Sequence, residues 1–187
     1  MLKNYVKLQI IIIFLWVILY SLNHSFDDLF GHVSYISYIF IPAGLKIMFA
    51  CLYGYRIFLG FFIGAILTGL LYLDNDSLKY LYIFSFFAAA IPVITVYLVN
   101  MISPIGGKLE YLNLNKVLLI AFLYALLSSF FHNTYLLTID AISIHQYKMD
   151  SLVMFTGDLI GCLIFLSTLS YFKKSFVSFF NKHLSDI

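Results

Sequence analysis

The chain has 187 residues, of which 63% are hydrophobic, 19% aromatic and only 11% charged. Because so few polar side chains cannot coat a soluble globule of this size, the composition indicates a membrane protein. The formal net charge is only +2, and the basic residues lie at the ends of apolar stretches rather than in one patch. This distribution argues against a nucleic-acid partner.

Six apolar stretches follow one another, and none alternates between apolar and polar residues. Continuous stretches exclude barrel strands, and helices are the other way to satisfy backbone polar groups within lipid. The predicted helices cover residues 8–22, 33–53, 57–73, 79–100, 116–139 and 150–172. We therefore predict an all-α membrane protein, a polytopic bundle of six transmembrane helices that forms a single domain over residues 1–187.

The connections between the stretches add detail to this prediction. Only Gly54-Tyr55-Arg56 separates the second stretch from the third, which predicts a tight antiparallel hairpin. Lys3 and Lys7 precede the first stretch as in a signal peptide, but no small-residue cleavage site follows it. We expect this helix to be retained.

The basic residues predict the orientation of the bundle. When the chain is threaded through the bilayer, Lys79 and Lys148 fall on one side and Lys46 falls within a helix. The other eight lie on the opposite side: Lys3, Lys7, Arg56, Lys108, Lys116, Lys173, Lys174 and Lys182. Since cytoplasmic loops carry the excess of Lys and Arg, both termini are predicted to be cytoplasmic (N-in/C-in).

The last predicted segment, residues 173–187, has apolar residues at helical spacing and lysines toward the other side. The apolar residues are Phe176, Phe179, Phe180 and Leu184. Two interpretations stay open. One is a short helix lying in the inner membrane interface, and the other is a frayed tail whose lysines stop transfer of the chain.

Ionisable residues within membrane helices are costly and usually face the bundle interior, so each is a candidate functional residue. Lys46, His132 and Asp158 fall within predicted helices, and Asn133 adjoins His132. At about 1.5 Å of rise per residue, His132 and Asp158 lie at similar depth and could pair. Lys46 lies deeper, but its long side chain could reach Asp158. The four residues form either a site for a ligand, proton or ion, or a polar contact that only fixes helix packing.

Metal and catalytic sites find little support. The loop 24–32 holds two histidines and two aspartates, yet their spacing matches no strict ligand motif. Cys51 and Cys162 both fall within predicted helices and are expected to be buried thiols. No nucleophile, zinc-protease or phosphate-binding motif occurs. We therefore predict no enzyme activity, metal or cofactor.

Small residues mark the places where helices approach closely. Two Gly-x-x-x-Gly motifs expose strips of backbone for packing against another helix, and a Pro-x-Gly opens or kinks the second helix just before Lys46. The predicted packing residues are Pro42, Gly44, Gly60, Gly64, Gly157 and Gly161.

These motifs lie in residues 41–45 (Ile-Pro-Ala-Gly-Leu), 52–56 (Leu-Tyr-Gly-Tyr-Arg), 59–65 (Leu-Gly-Phe-Phe-Ile-Gly-Ala) and 155–161 (Phe-Thr-Gly-Asp-Leu-Ile-Gly). Together they resemble the core of the MASE1 family, the integral membrane sensor regions of bacteria that usually precede histidine kinases or cyclic-di-nucleotide enzymes. The resemblance covers about residues 38–66 and 152–172. It departs from the family in having six helices rather than about eight, no output domain, and Lys46 where an apolar residue is expected.

The resemblance implies a stand-alone sensory and signalling domain in the bacterial inner membrane, surrounded by lipid and acting through a separate membrane or membrane-associated signalling protein. Two other classes stay open. Six helices in fewer than 200 residues also suit the substrate-binding component of a small-molecule uptake transporter, although the first helix lacks the small-residue docking stripe of such components. A purely structural subunit of a larger complex is the third class.

Overall fold

The computed structural model of the protein describes residues 2–26, 32–33, 36–73, 77–103 and 114–171. Short 3-10 turns at Gly54–Ile57 and Leu78–Tyr80 precede two of its helices. In chain order the helices and strands are α1 (Leu2–Ser25), β1 (His32–Val33), β2 (Ile36–Ser37), α2 (Pro42–Tyr53), α3 (Phe58–Tyr72), α4 (Leu81–Ile102), α5 (Leu114–Thr138) and α6 (Ile144–Tyr171).

The fold is helical, and five helical stretches are long and apolar enough to cross a membrane. These are Leu2–Ser25, Pro42–Tyr72, Leu78–Ile102, Leu114–Thr138 and Ile144–Thr168. Five such stretches are consistent with a multi-pass membrane protein. Pro42–Tyr72 counts as one stretch because the 3-10 turn between α2 and α3 leaves no gap in its helical residues.

The short helix α2 occupies the centre of the bundle. Every residue from Pro42 to Cys51 is buried, as expected of a helix that is surrounded on all sides. It packs on α1, α4, α5 and α6. Around it, α1 packs on α3, α3 on α4, α4 on α5 and α5 on α6, whereas α1 and α6 do not pack extensively on each other.

The chain reverses direction between α2 and α3. At the start of α2 the Ile41 N–H donates to Asn23 Oδ1 (3.0 Å), near the end of α1. Beyond its end, the carbonyl of Arg56 accepts from Gln9 Nε2 (2.9 Å), near the start of α1. The Tyr72 ring at the end of α3 then lies 4.5 Å from a ring in the last turn of α1. Thus α2 runs antiparallel to α1 and α3 runs parallel to it, which is the predicted hairpin.

The prediction of a helix over 33–53 is wrong in its first part. Strands β1 and β2 pair antiparallel, with His32 opposite Ser37, and residues 38–41 lead into α2 without helical structure. The helix begins at Pro42 because proline lacks the N–H that a helix interior needs and its fixed φ suits the first helical position. An apolar run alone does not reveal this start.

The predicted ends of the other helices agree with the structure to varying degrees. The predictions 79–100 and 116–139 come within two residues of α4 and α5 at every end, whereas α1 extends beyond 8–22 on both sides. Helix α6 begins at Ile144, six residues before the predicted start. Ser143 and Gln146 explain this start by forming a capping box, in which each side chain accepts from the other residue's backbone N–H (2.8 and 3.3 Å). The predicted tail 173–187 lies outside the described residues.

The first Gly-x-x-x-Gly motif lets α3 approach α1. A Cβ added at Gly60 would lie 2.9 Å from atoms of Gln9 and Ile12, and one at Gly64 would lie 2.8 Å from the Trp16 ring. Such separations are shorter than any ordinary carbon–carbon contact. The glycines therefore set the distance between these two parallel helices.

The second motif packs on residues 37–41, which comprise the last residue of β2 and the four residues that join it to α2, and which we call the entry segment. The Phe40 N–H donates to the Gly157 carbonyl (3.0 Å). A Cβ at Gly157 would collide with the carbonyl of Ser37, and one at Gly161 with the carbonyl of Phe40. The motif thus accepts backbone from another segment, and this contact holds the start of α2 against α6.

These contacts predict different costs for two alanine substitutions. At Gly161 the new methyl group would meet the backbone of the entry segment, and at Gly69 it would meet the flexible tip of the Leu81 side chain. We expect Gly161→Ala to destabilise the protein by about 1–3 kcal/mol, as other overpacked sites do. Gly69→Ala should be nearly neutral, since Leu81 can rotate and alanine favours helix by about 1 kcal/mol.

Thermal unfolding of the two variants in the same detergent is the measurement. Equal melting temperatures for Gly161→Ala and Gly69→Ala would contradict the proposed contact between α6 and the entry segment.

Candidate functional site

Lys46 lies in the middle of α2 and is only 4% exposed. Its ammonium is surrounded by three aromatic rings from separate parts of the chain. Nζ lies 4.7 Å from the centroid of the Trp16 ring on α1, 5.5 Å from Phe40 on the entry segment and 5.9 Å from Tyr124 on α5. The negative faces of such rings attract a desolvated cation, each contributing about 0.5–2 kcal/mol.

Asp158 supplies the opposite charge from α6. Its side chain is 2% exposed, and its carboxylate interacts electrostatically with Lys46 and with the hydroxyl of Ser128 on α5. Its Oδ2 atom has no hydrogen-bond partner among the protein's own groups. The charges of α2 and α6 thus lie near each other in the bundle core, while one carboxylate oxygen stays open to a further donor.

Together these groups form a polar centre, defined by Lys46, Asp158, Ser128 and Tyr124. Tyr124 joins it through its hydroxyl, which also interacts with Ser128, and its ring is 1% exposed. Taking two charges out of water costs several kcal/mol per ion, and only their mutual attraction and additional polar contacts offset this cost. The polar centre is therefore an expensive feature within an otherwise apolar core.

Asn133 lies nearer the Thr138 end of α5 than the polar centre does. Its Nδ2 atom donates to the Ser129 carbonyl (2.9 Å) and approaches Met154 Sδ on α6 (3.7 Å). The side chain is 1% exposed, yet its Oδ1 atom has no partner among the protein's own groups. Like Asp158, Asn133 keeps one buried acceptor open.

His132 faces a different neighbour. Its Nδ1 atom lies 2.9 Å from the Ser128 carbonyl of its own helix. The ring stacks on Phe84 (5.7 Å between centroids) and meets Phe87 edge-on (5.4 Å), both on α4. No hydrogen bond or ion pair joins His132 to Asp158, although the structure describes both residues. The pair that the sequence made possible does not form, because successive residues of α5 point to different helices.

Of the four residues singled out from the sequence, Lys46 and Asp158 lie within electrostatic reach of each other but form no direct ion pair, although the structure describes both. Asn133 lies farther along the same interface, and His132 packs elsewhere. Trp16 and Phe40 were missed. A signal for Trp16 does exist, because Gln9, Trp16 and Asn23 recur every seven residues along α1 and are all buried. Polar residues at this spacing mark the face of α1 that points into the bundle.

Other chemistry at the site is limited. Cys51 and Cys162 are free, buried thiols, and Cys162 lies close enough to Asp158 and Lys46 to interact with both. Within the described ranges, no three His, Cys, Asp or Glu residues are grouped to hold a metal ion. The polar centre can thus offer a ligand or a proton a buried ammonium, hydroxyl groups and acceptor oxygens that have no hydrogen-bond partner in the protein.

Comparison with known proteins gives no relative from which a role could be taken. No protein-family model matches the chain, and neither a curated protein nor a solved structure is significantly similar to it.

The polar centre predicts strong energetic coupling between its two charges. Lys46→Met or Asp158→Asn alone leaves the other charge buried without its counterpart, which typically costs about 3–5 kcal/mol. The double variant removes both charges and should cost clearly less than the sum of the single variants. Reversible unfolding of all four proteins in mixed micelles measures this coupling. Strictly additive effects would show that the charges do not stabilise each other.

Proposed function

We propose that this chain is a stand-alone sensory and signalling domain of the MASE1 type, embedded in the bacterial inner membrane and acting through a separate partner protein. Its sensing element is the polar centre. The single observation that carries the proposal is the burial of Lys46 and Asp158, two opposite charges near each other in the core of a bundle suited to a membrane.

The cost of this arrangement supports a functional role. An apolar pair of similar volume would fill the same space without desolvation, and replacing buried ion pairs in this way is often neutral or stabilising. Ionisable groups within membrane bundles commonly mark ligand, ion or proton sites. The open Oδ2 atom of Asp158 gives such a ligand a place to bind.

The arrangement of the sequence motifs adds support. Residues 41–45 and 155–161, which carry much of the resemblance to the MASE1 family, are more than one hundred positions apart in the chain. In the fold they are neighbours, because the entry segment ahead of the first motif packs on the glycines of the second. The polar centre lies beside this contact. Two of the four segments that suggested the family thus lie beside the proposed sensing element.

Six crossings with both termini in the cytoplasm belong to the same proposal. Helix α2 has 12 residues and spans only about 18 Å. Both ends of the entry segment bond to Asn23, whose Oδ1 accepts from the Ile41 N–H and whose Nδ2 donates to the Ser37 hydroxyl, so this segment adds little length along the bundle. We infer a short crossing by α2, which a bilayer with about 30 Å of hydrocarbon accommodates by thinning locally. Irregular backbone is tolerated at that depth where protein surrounds it, and Asn23 and Gly157 supply the hydrogen bonds.

The proposed topology predicts which positions water-soluble reagents reach in intact cells. In a chain whose two native cysteines are replaced by alanine, Ser25→Cys at the end of α1 should react with a membrane-impermeant maleimide. Tyr55→Cys, which is 77% exposed in the turn after α2, should react only after permeabilisation. Reaction of Tyr55→Cys but not of Ser25→Cys in intact cells would reverse the orientation. Reaction of both positions would remove the hairpin crossing.

The sensory role predicts a loss of signalling without a loss of protein. In the native host, deletion of the gene should change the cyclic-di-nucleotide content or the phosphorylation of a membrane kinase. The wild-type chain should restore it. Lys46→Met and Asp158→Asn, at equal membrane abundance, should restore at most about a tenth of the response, because each removes one charge of the sensing element.

Thr156→Val is the matched control, since the Thr156 hydroxyl bonds only to carbonyls of its own helix (3.0 and 2.9 Å). It should restore signalling fully. Full restoration by Lys46→Met and Asp158→Asn as well would assign the polar centre to packing alone.

One observation favours a second candidate, the substrate-binding component of a small-molecule uptake transporter. Asn133 Oδ1 and Asp158 Oδ2 are two open acceptors along one interface, and discontinuous membrane helices such as α2 often form substrate sites. Photo-crosslinking from lipid-facing positions such as Leu70 separates the candidates. A kinase or cyclase as crosslinked neighbour supports signalling, whereas an ATPase module supports uptake.

A further inference from the structure

Helices α5 and α6 share the most extensive interface of the bundle, and one strip of it is polar. On α6, Tyr147, Ser151, Met154 and Asp158 succeed one another at intervals of four, three and four residues, which places them on one face. Met154 and Asp158 are the two of these that reach polar atoms of Asn133 and Ser128 on α5. We call this strip the polar seam.

The polar seam holds most of the buried, unsatisfied side-chain atoms found in the described part of the chain. Among the described residues, four buried side-chain polar atoms have no hydrogen-bond partner within the protein. Three of them lie in the seam: Asn133 Oδ1, Ser151 Oγ and Asp158 Oδ2. Buried polar atoms nearly always have a partner, in protein or in ordered water. Three in one strip therefore point to a shared ligand rather than to separate local defects.

The axial spacing of the residues that carry these atoms suits single water molecules between them. Asn133 lies at the level of Met154, so Ser151 is about 4.5 Å to one side of it along α6 and Asp158 about 6 Å to the other. Each interval is close to two hydrogen bonds of about 2.8 Å. One water molecule can bridge each interval, donating to the two carbonyl-type acceptors and exchanging hydrogen bonds with the Ser151 hydroxyl.

The polar seam runs from one end of the bundle toward Asp158. Ser151 is seven residues after the first residue of α6, about 10 Å from that end of the bundle. Between it and this end lie Tyr147 and Thr134, whose hydroxyls are 3.5 Å apart across the interface. Polar groups thus continue from the Thr138–Ile144 end of the bundle down to the carboxylate of Asp158. The charged centre is the end point of the strip.

We propose that the polar seam binds a file of water molecules that connects Asp158 to the aqueous phase at the Thr138–Ile144 end of the bundle. Protons and small monovalent cations reach the carboxylate along this file. The inference is independent of the sensory role, because it concerns only how the buried carboxylate communicates with water. It assigns Asn133 and Ser151 to holding the file.

Silver ions test the file, because they are small, move through water-filled paths and react with thiols. Cys162 follows Asp158 by one helical turn and interacts with it, so it reports arrival at the end of the seam. In the Cys51→Ala protein in lipid nanodiscs, Ag⁺ should modify Cys162. At successive times the protein is denatured and treated with a maleimide. The fraction of Cys162 that the maleimide no longer labels gives the extent of the silver reaction, and its increase with time gives the rate. Asn133→Leu, similar in volume but apolar, should slow this reaction at least tenfold.

Ile160→Cys, placed in a chain that otherwise lacks cysteine, is the control for depth. It lies between Asp158 and Cys162 in sequence but is 40% exposed on the outer surface of the bundle, where lipid excludes Ag⁺. It should react at least tenfold more slowly than Cys162. Thr156→Val should leave the Cys162 rate unchanged. If Asn133→Leu does not fold, Ser151→Val interrupts the same file and carries the same expectation.

An unreactive Cys162 in the folded parent protein would overturn the water file. So would a rate that neither Asn133→Leu nor Ser151→Val changes. Loss of signalling in Asp158→Asn with an unchanged silver reaction would support the sensory role and leave the file intact, so the two proposals fail separately.

Discussion

The bundle is organised around the need to keep two opposite charges together where there is no water. Lys46 can lie in the apolar core because three rings surround its ammonium and the Asp158 carboxylate attracts it electrostatically. These partners come from α1, the entry segment, α5 and α6, so a single ammonium fixes the position of four parts of the chain. Such a centre favours one helix arrangement over others, since most shifts would leave a charge buried alone.

The glycines determine how closely the helices approach one another. A lysine reaches its partners only if α2 lies close to every neighbour, and α2 is buried all round. Gly60 and Gly64 bring α3 against α1, while Gly157 and Gly161 admit the backbone of the entry segment against α6. Small residues thus replace the hydrophobic effect, which is weak between helices in lipid.

Much of this fold follows from the sequence, for physical reasons that particular residues illustrate. Helices α4 and α5 were predicted well because a long apolar run between polar ends can satisfy its backbone in lipid only as a helix. Lys46 and Asp158 were recognisable as a possible pair because charges are rare in such runs. The start of α6 was predicted six residues too late, although the capping box of Ser143 and Gln146 marks it in the sequence.

What the sequence does not show is which face of a helix meets which neighbour. Helix α5 is apolar on nearly all sides, so nothing in it indicates that His132 turns toward α4 and Asn133 toward α6. Counting residues gave a similar depth for His132 and Asp158, but depth does not determine direction. The non-helical start of the second stretch was hidden for a related reason, because the hydrogen bonds that stabilise it come from Asn23, 18 residues before Ile41, and from Gly157, more than one hundred residues after Phe40.

The hydrogen bond between the entry segment and Gly157 has a consequence for biosynthesis. The carbonyl that accepts from Phe40 belongs to a residue translated more than one hundred positions later, which is about 6–23 s at ordinary elongation rates. Until then the Phe40 N–H lacks its hydrogen-bond acceptor, and lipid offers no replacement for it. Final packing of α2 is therefore a late event, completed when α6 emerges from the ribosome and docks beside it.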